Sequence, residues 1–197
     1  MLRWPLAVLI VLAASVIFLL ATVNSDMGQD AVSNGNWRTN PNIGSKDAGV
    51  MLRATVAIGG LLASNRDDSI YYALTSIDGK PLSLNCQYKI EGNDYDANWW
   101  SITAYGWDFY LIPNSERRYS FNNENLVRDD DGNWQIYVSA HQTPGNWLPI
   151  GPSGSARDDK AKQHDFDLLI RLYTPGDEYL TAPESAPLPK VSMEGCV

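Results

Sequence analysis

The chain has 197 residues, 15 Lys+Arg against 23 Asp+Glu, and a formal net charge of -8. That length suits one domain with a short addition, and 44% hydrophobic with 19% charged residues excludes a disordered chain. The acidic balance argues against nucleic acid as a partner, two histidines and two cysteines cannot build an all-cysteine zinc, iron–sulfur or haem-rich site, and no P-loop or dinucleotide fingerprint occurs.

Residues 4–23 form an uncharged apolar run of about the length a bilayer-crossing helix needs. Arg3 precedes it, Asp26 and Asp30 follow, and no Lys or Arg appears until Arg38. The positive-inside rule then places the N-terminus in the cytoplasm and everything after Val23 outside it. The competing reading is a cleaved signal peptide ending at Val23-Asn24-Ser25, a poor match to the small-residue cleavage pattern, and the apolar length favours an uncleaved anchor. Without Arg3 the exported part keeps 14 positive and 23 negative residues, a net -9, so its surface is not expected to cling to anionic lipid.

Residues 24–44 are rich in Asn, Ser and Gly and read as a spacer, with Trp37 as the exception expected to dock on the domain. From Ser45, a candidate N-cap, to Ala63 the apolar residues Val50, Met51, Ala54, Ile58, Leu61 and Leu62 recur at helical spacing. This predicts one amphipathic helix over 45–63, weakened at Gly59-Gly60 and ended by the polar run 65–68.

After residue 69 the period changes to two. Leu84, Cys86, Tyr88 and Ile90 alternate with polar residues, as do Trp134, Ile136 and Val138, and Phe166, Leu168, Ile170 and Leu172. Asp78-Gly79, Gly92-Asn93-Asp94, Gly106 and Asp131-Gly132 supply the turns between them. Several half-buried strands imply a mainly β domain, an antiparallel sandwich or barrel, occupying 45–197 together with the helix. Cys86 on an inward strand position and Cys196 near the end are expected to form one disulfide in an oxidising envelope compartment, since they lack the Cys-x-x-Cys spacing of a redox pair.

The strand Trp99-Trp100-Ser101-Ile102-Thr103-Ala104-Tyr105 is followed by Asn114, by Arg118-Tyr119-Ser120 and by Asp130-Asp131-Gly132. Then come Pro144-Gly145-Asn146-Trp147-Leu148-Pro149 and Arg171-Leu172-Tyr173. In this order and spacing the chain resembles the domain-of-unknown-function family numbered 1214, over roughly 70–191. Asn36-Trp37-Arg38 ahead of a helix is similar to its short, membrane-anchored members. The resemblance implies a jelly-roll-like β-sandwich in the cell envelope and no established reaction; longer relatives carry a further uncharacterised domain, numbered 1254, ahead of this one. The chain departs from the pattern in a longer polar loop at 151–163 and in an aromatic hairpin carrying Trp107 and Phe109.

No catalytic residue, cofactor or metal set is assigned. Asp129-Asp130-Asp131-Gly132-Asn133 lacks the terminal Glu of a calcium loop and reads as a solvated turn. His141 and His164 lack a nucleophile elbow or a zinc-binding spacing. In the Pro-Gly-Asn-Trp segment the Asn amide is expected to serve orphan backbone groups while Trp147 fills a pocket. Arg118 and Arg171 either cross-link the fold, through Asp108, Asp130, Asp167 or carbonyl groups, or hold an anionic ligand. Trp99 and Trp100 alternate, so one of them points away from the core and needs a cover. The candidate ligand or partner residues are therefore Trp99, Trp107, Trp147, Tyr105, Arg118 and Arg171.

Two readings follow. The first is a non-catalytic interaction module tethered to a bacterial inner membrane through residues 4–23, single-pass, with its domain in the periplasm and a membrane-protein complex as partner. The second is a carbohydrate-binding or carbohydrate-hydrolysing envelope protein using exposed Trp and Asp residues.

Overall fold

The computed structural model of the protein describes residues 3–23, 30–58, 63–151 and 165–197. A helix α1 (Arg3–Val23) precedes a hairpin of β1 (Val32–Asn34) and β2 (Trp37–Thr39), and a second helix, α2 (Val50–Ile58), follows. Next come β3 (Ser69–Leu74), β4 (Ser76–Ile77), β5 (Lys80–Pro81), β6 (Cys86–Gly92) and β7 (Ala97–Gly106). The chain continues through β8 (Ser120–Asn122), β9 (Trp134–Ser139), β10 (Asn146–Pro149), β11 (Phe166–Pro175), a short helix α3 (Asp177–Thr181) and β12 (Lys190–Cys196).

The strands form a six-stranded sheet in the order β1-β2-β3-β11-β7-β8, a four-stranded sheet in the order β10-β9-β6-β12, and a ribbon of β4 and β5. The mainly β, antiparallel expectation holds, with one exception: β10 runs parallel to β9, pairing Asn146 with Ile136 and Pro149 with Ser139. The turn between β4 and β5 is the Asp78-Gly79 pair, with φ of 49 and 76, the left-handed geometry that an Asp-Gly hairpin adopts.

The two sheets share one apolar core. Phe166, Leu168, Ile170 and Leu172 of β11 pack with Trp100 and Ile102 of β7, and meet Tyr88, Ile90, Ile136 and Val138 from the facing sheet. Tyr88 sets its ring edge-on to Phe166, with centroids 5.7 Å apart. Burying side chains of this size removes roughly 1.5–3 kcal/mol of exposure cost each, so this interior is the main favourable term in the fold.

A smaller cluster lies on the opposite face of the six-stranded sheet, where Ile43, Ala48 and Leu52 cover Tyr71 and Leu169, with Val56, Ala63, Ala73 and Tyr105 at its edge. This corrects the reading of β11 as a strand with one wet face. It pairs with both β3 and β7 at the sheet's centre, and on its outer side Asp167 and Leu169 are buried.

Other expectations change in similar ways. Among the described residues the helix expected over 45–63 is α2, Val50–Ile58, and it starts later than Ser45 because the Ser45 hydroxyl accepts Asp47 N–H at 3.1 Å and holds a separate turn before Gly49. The segment expected as a spacer holds, in its described part from residue 30, the β1–β2 hairpin, whose Arg38 pairs with Ala73. Trp37 docks as expected: its indole is buried and donates to the Pro189 carbonyl at 2.9 Å. Cys86 and Cys196 form the expected disulfide, and they are cross-strand partners, so the bond closes a β-ladder and not a loose tail.

α1 touches α2. Among the described residues no helix is long and apolar enough to cross a membrane. The described side chains of α1, residues 5–18, are exposed and apolar apart from Ser15. The cleavage segment after Val23, Gly59-Gly60, Leu61, Leu62, the polar loop after 151 and His164 lie outside the described residues.

Candidate functional site

β7 and β11 are hydrogen-bonded neighbours, with Tyr173 opposite Trp99, Arg171 opposite Ser101, Leu169 opposite Thr103 and Asp167 opposite Tyr105. The two-residue period of a strand puts all eight on one face, the outer one. The cluster around α2 covers Tyr105 and Leu169 at one end of that face and leaves Trp99 and Tyr173 at the other.

Trp99, half-buried, meets Tyr173 edge to face, with ring centroids 5.4 Å apart and planes at 65°. Between this pair and α2 sits Arg171. One guanidinium nitrogen donates to the Tyr105 hydroxyl at 2.8 Å, the other reaches the Thr103 hydroxyl at 3.4 Å, and the group lies 5.2 Å from the Tyr105 ring centroid. Among the described residues Arg171 is held by hydroxyls and an aromatic face, and by none of the candidate carboxylates Asp108, Asp130 and Asp167. A guanidinium held by neutral hydroxyls and a ring face keeps its positive charge, and it lies on the same strand face as the Trp99 and Tyr173 rings.

Three of the six candidate residues, Trp99, Tyr105 and Arg171, thus share one face. Trp107 lies just past the end of β7, its backbone N–H donating to the Asp165 carbonyl at 3.2 Å; its indole N–H is buried without a partner among the described residues.

The other two are elsewhere and fully employed. Trp147 is buried on β10 and donates its indole N–H to Ser139 at 3.0 Å, which leaves no ring face for a ligand. Arg118 donates to the Trp147 carbonyl at 2.9 Å and covers the Phe121 ring at 5.5 Å. It ties the segment before β8 to the facing sheet through a carbonyl, and none of Asp108, Asp130 or Asp167 takes part. Asn146 behaves as expected of it, accepting Val127 N–H at 2.9 Å and donating to the carbonyls of Val127 at 2.8 Å and Gln135 at 2.9 Å.

Tyr173 is the member of the site that the candidate set lacked. Alternation puts it on the face of Arg171, but its pairing with Trp99 depends on strand register, which the sequence does not display. Among the described residues no three His, Cys, Asp or Glu side chains converge to hold a metal ion. Asp129 instead accepts the N–H groups of Asp131 at 3.1 Å and Asn133 at 2.7 Å, closing the solvated turn expected there. An open cavity of about 540 Å³ between the 42–47 and 65–67 segments contains none of the candidate residues.

The family model for a protein of unknown function, DUF1214, matches residues 68–177, more than half of the chain. The chain belongs to the DUF1214 family. That span holds β3 through β11 and so the whole outer-face site. No curated protein matches the chain. Among solved structures, the VPA0106 protein from Vibrio parahaemolyticus is similar, with 20% identity and a TM-score of 0.58 over 76% of this chain and 36% of that one. An uncharacterised protein from Burkholderia cenocepacia shows 16% identity and a TM-score of 0.37 over 64% of this chain and 29% of that one. The likeness to the Vibrio structure shows the fold alone, and the present chain spans about a third of the length of these proteins.

Proposed function

We propose that the protein is a membrane-tethered, non-catalytic module that presents a jelly-roll-like DUF1214 sandwich on the periplasmic side of a bacterial inner membrane and binds a membrane-protein partner. The observation that carries the reading is the outer-face constellation: the Trp99 and Tyr173 ring pair beside an Arg171 guanidinium that, among the described residues, is held by hydroxyls and an aromatic ring and by no carboxylate. Trp, Tyr and Arg are the side chains that dominate binding energy at protein interfaces. The tether is supported by the apolar run 4–23, by a helical backbone over Arg3–Val23, and by the charge asymmetry around it. A disulfide between Cys86 and Cys196 fits an oxidising compartment.

The test is mild-detergent extraction from native membranes. A protein recovered with the wild-type chain is expected to be lost with Trp99→Ala and kept with Gln135→Ala, an exposed position on the other sheet. A monomeric chain with nothing co-purifying, or equal recovery with both variants, refutes the reading. The carbohydrate reading needs exposed indoles and has less support, because Trp147, one of the three candidate Trp residues with Trp99 and Trp107, is buried.

A further inference from the structure

Past Gly106 the chain doubles back through residues 107–111. Gly106 N–H donates to the Tyr110 carbonyl at 2.8 Å, Phe109 N–H donates to the Gly106 carbonyl at 2.8 Å, and Tyr105 bridges to Leu111. The turn is therefore fixed by its own backbone. Phe109 adopts φ 63, a left-handed conformation that a bulky side chain takes up at a cost. With the backbone so held, three consecutive apolar or aromatic residues stand in solvent: Phe109 at 55%, Tyr110 at 75% and Leu111 at 43% exposure.

The one charged residue of the turn, Asp108, is folded back. Its carboxylate accepts Tyr110 N–H at 3.3 Å and occupies the space where Gly106 has no side chain. The tip thus presents rings and a branched chain with no Lys or Arg and with its acid turned inward. That composition suits the zone between headgroups and acyl chains, where amphipathic aromatics collect. It does not suit attraction to anionic lipid, which the net charge of the exported part already disfavours.

Position supplies the occupant. Tyr105, two residues before Trp107, packs in the cluster around α2, and α2 touches α1. The turn therefore leaves the six-stranded sheet at the end that carries α2 and the apolar N-terminal helix, while Trp99 and Tyr173 lie at the other end. We propose that the 107–111 turn is a second membrane contact, with Phe109, Tyr110 and Leu111 bedded about 5–10 Å into the interface of the bilayer that residues 4–23 enter. The inference rests on the membrane-tether reading. It adds an orientation: a domain held at two points cannot swivel freely on its tether, and the outer-face site is carried on the side away from the lipid.

The full chain reconstituted into phosphatidylcholine vesicles containing acyl-brominated lipid tests this. Tyr110→Trp adds a reporter at the tip, and Tyr173→Trp adds one at the far end of the same sheet. After an alkaline carbonate wash the chain is expected to stay with the vesicles, and the emission added by Y110W is expected to fall by roughly half, as for a ring at the interface, while that added by Y173W is unchanged. Retention with Y110W unquenched, or with both reporters quenched alike, overturns the second contact and leaves the tether standing. Release by the wash overturns the tether and the second contact together.

Discussion

Trp100 of β7 and Trp134 of β9 meet across the two sheets with ring centroids 5.3 Å apart and planes tilted by 31°. Tyr95 sets its edge against both, at 4.8 and 6.1 Å. Asp94 secures one side, accepting the Trp100 indole N–H at 3.2 Å and an Arg128 nitrogen at 2.7 Å. The pair fits only because Gly92 presents bare backbone: a β-carbon there would lie 2.8 Å from one Trp134 ring carbon and 2.9 Å from the next.

Gly92→Ala must therefore move the Trp134 ring, and the expected cost is about 1–3 kcal/mol, as for overpacking in a tight core. The near-ultraviolet circular dichroism of the indoles should change with it. Gly132→Ala is the comparison: φ is +83 and nothing lies within 4 Å, so the loss should be about 1 kcal/mol of backbone strain with the indole bands unaltered. Equal spectra for the two variants would contradict the account of Gly92.

Asn146 is a hub between three part-buried backbone groups, and removing its amide takes a partner from two carbonyls and one N–H. Asn146→Ala is expected to cost about 2–4 kcal/mol. Asn146→Asp keeps the acceptor but sets a carboxylate against both carbonyls, so it should cost at least as much at neutral pH and recover part of the loss as acid restores an O–H donor. Denaturant midpoints at two pH values check both statements; a harmless Asn146→Asp would remove Asn146 from this role.

Which parts of this were readable in the sequence follows from which strands have one wet face. β9 alternates Trp134, Ile136 and Val138 with half-exposed or exposed Gln135 and Tyr137, and the period-two signal is plain. β3 gives no such signal because Tyr71 and Ala73 lie under or beside α2 while Ile70, Tyr72 and Leu74 face the main core. β10 is buried at all four residues, ends in Pro149 and is preceded by Pro144, so it shows no alternation either. The site divides in the same way. Strand parity alone put Trp99, Arg171 and Tyr105 in view, but the hydroxyls that hold Arg171 and the carbonyl that holds Arg118 are set by register and by packing between sheets, and neither is written in local sequence.

The bond between Cys86 and Cys196 spans a sequence separation of 110. Loop-closure entropy alone assigns it roughly 4–5 kcal/mol, acting on the unfolded chain. Reduction, or Cys196→Ser, is expected to lower the denaturant midpoint accordingly and to speed amide exchange along β12, whose outer end lies in solvent. The exchange change should be confined to β12 and β6 under native conditions. An unchanged midpoint on reduction would mean that the unfolded chain is not restricted by the bond.

Four phenols sit where their ionised form is disfavoured. Burial pushes the Tyr72, Tyr95 and Tyr179 hydroxyls up from the ordinary value near 10, and nearby acids add to it: Glu184 and Glu178 at Tyr72, Asp94 at Tyr95, and Glu178 at Tyr179. Tyr88 is raised by burial as well, against the lowering effect of the Ser83 N–H it accepts at 2.8 Å. A folded-state pKa above the unfolded one leaves stability intact below about pH 10, where both states hold the proton. As pH rises further the unfolded chain releases protons that the folded chain keeps, so stability falls, by about 1.4 kcal/mol per pH unit for each such phenol, until the folded pKa is reached. These four are expected to contribute no phenolate absorbance near pH 10 and to appear together with loss of the β-sheet circular dichroism. Tyr72→Phe should make the alkaline slope shallower by one group while giving up the hydrogen bond to Pro183 at 3.3 Å, lowering the neutral plateau slightly. Reversible ionisation of these four near pH 10 with the sheets intact would show that these rings are not buried as described.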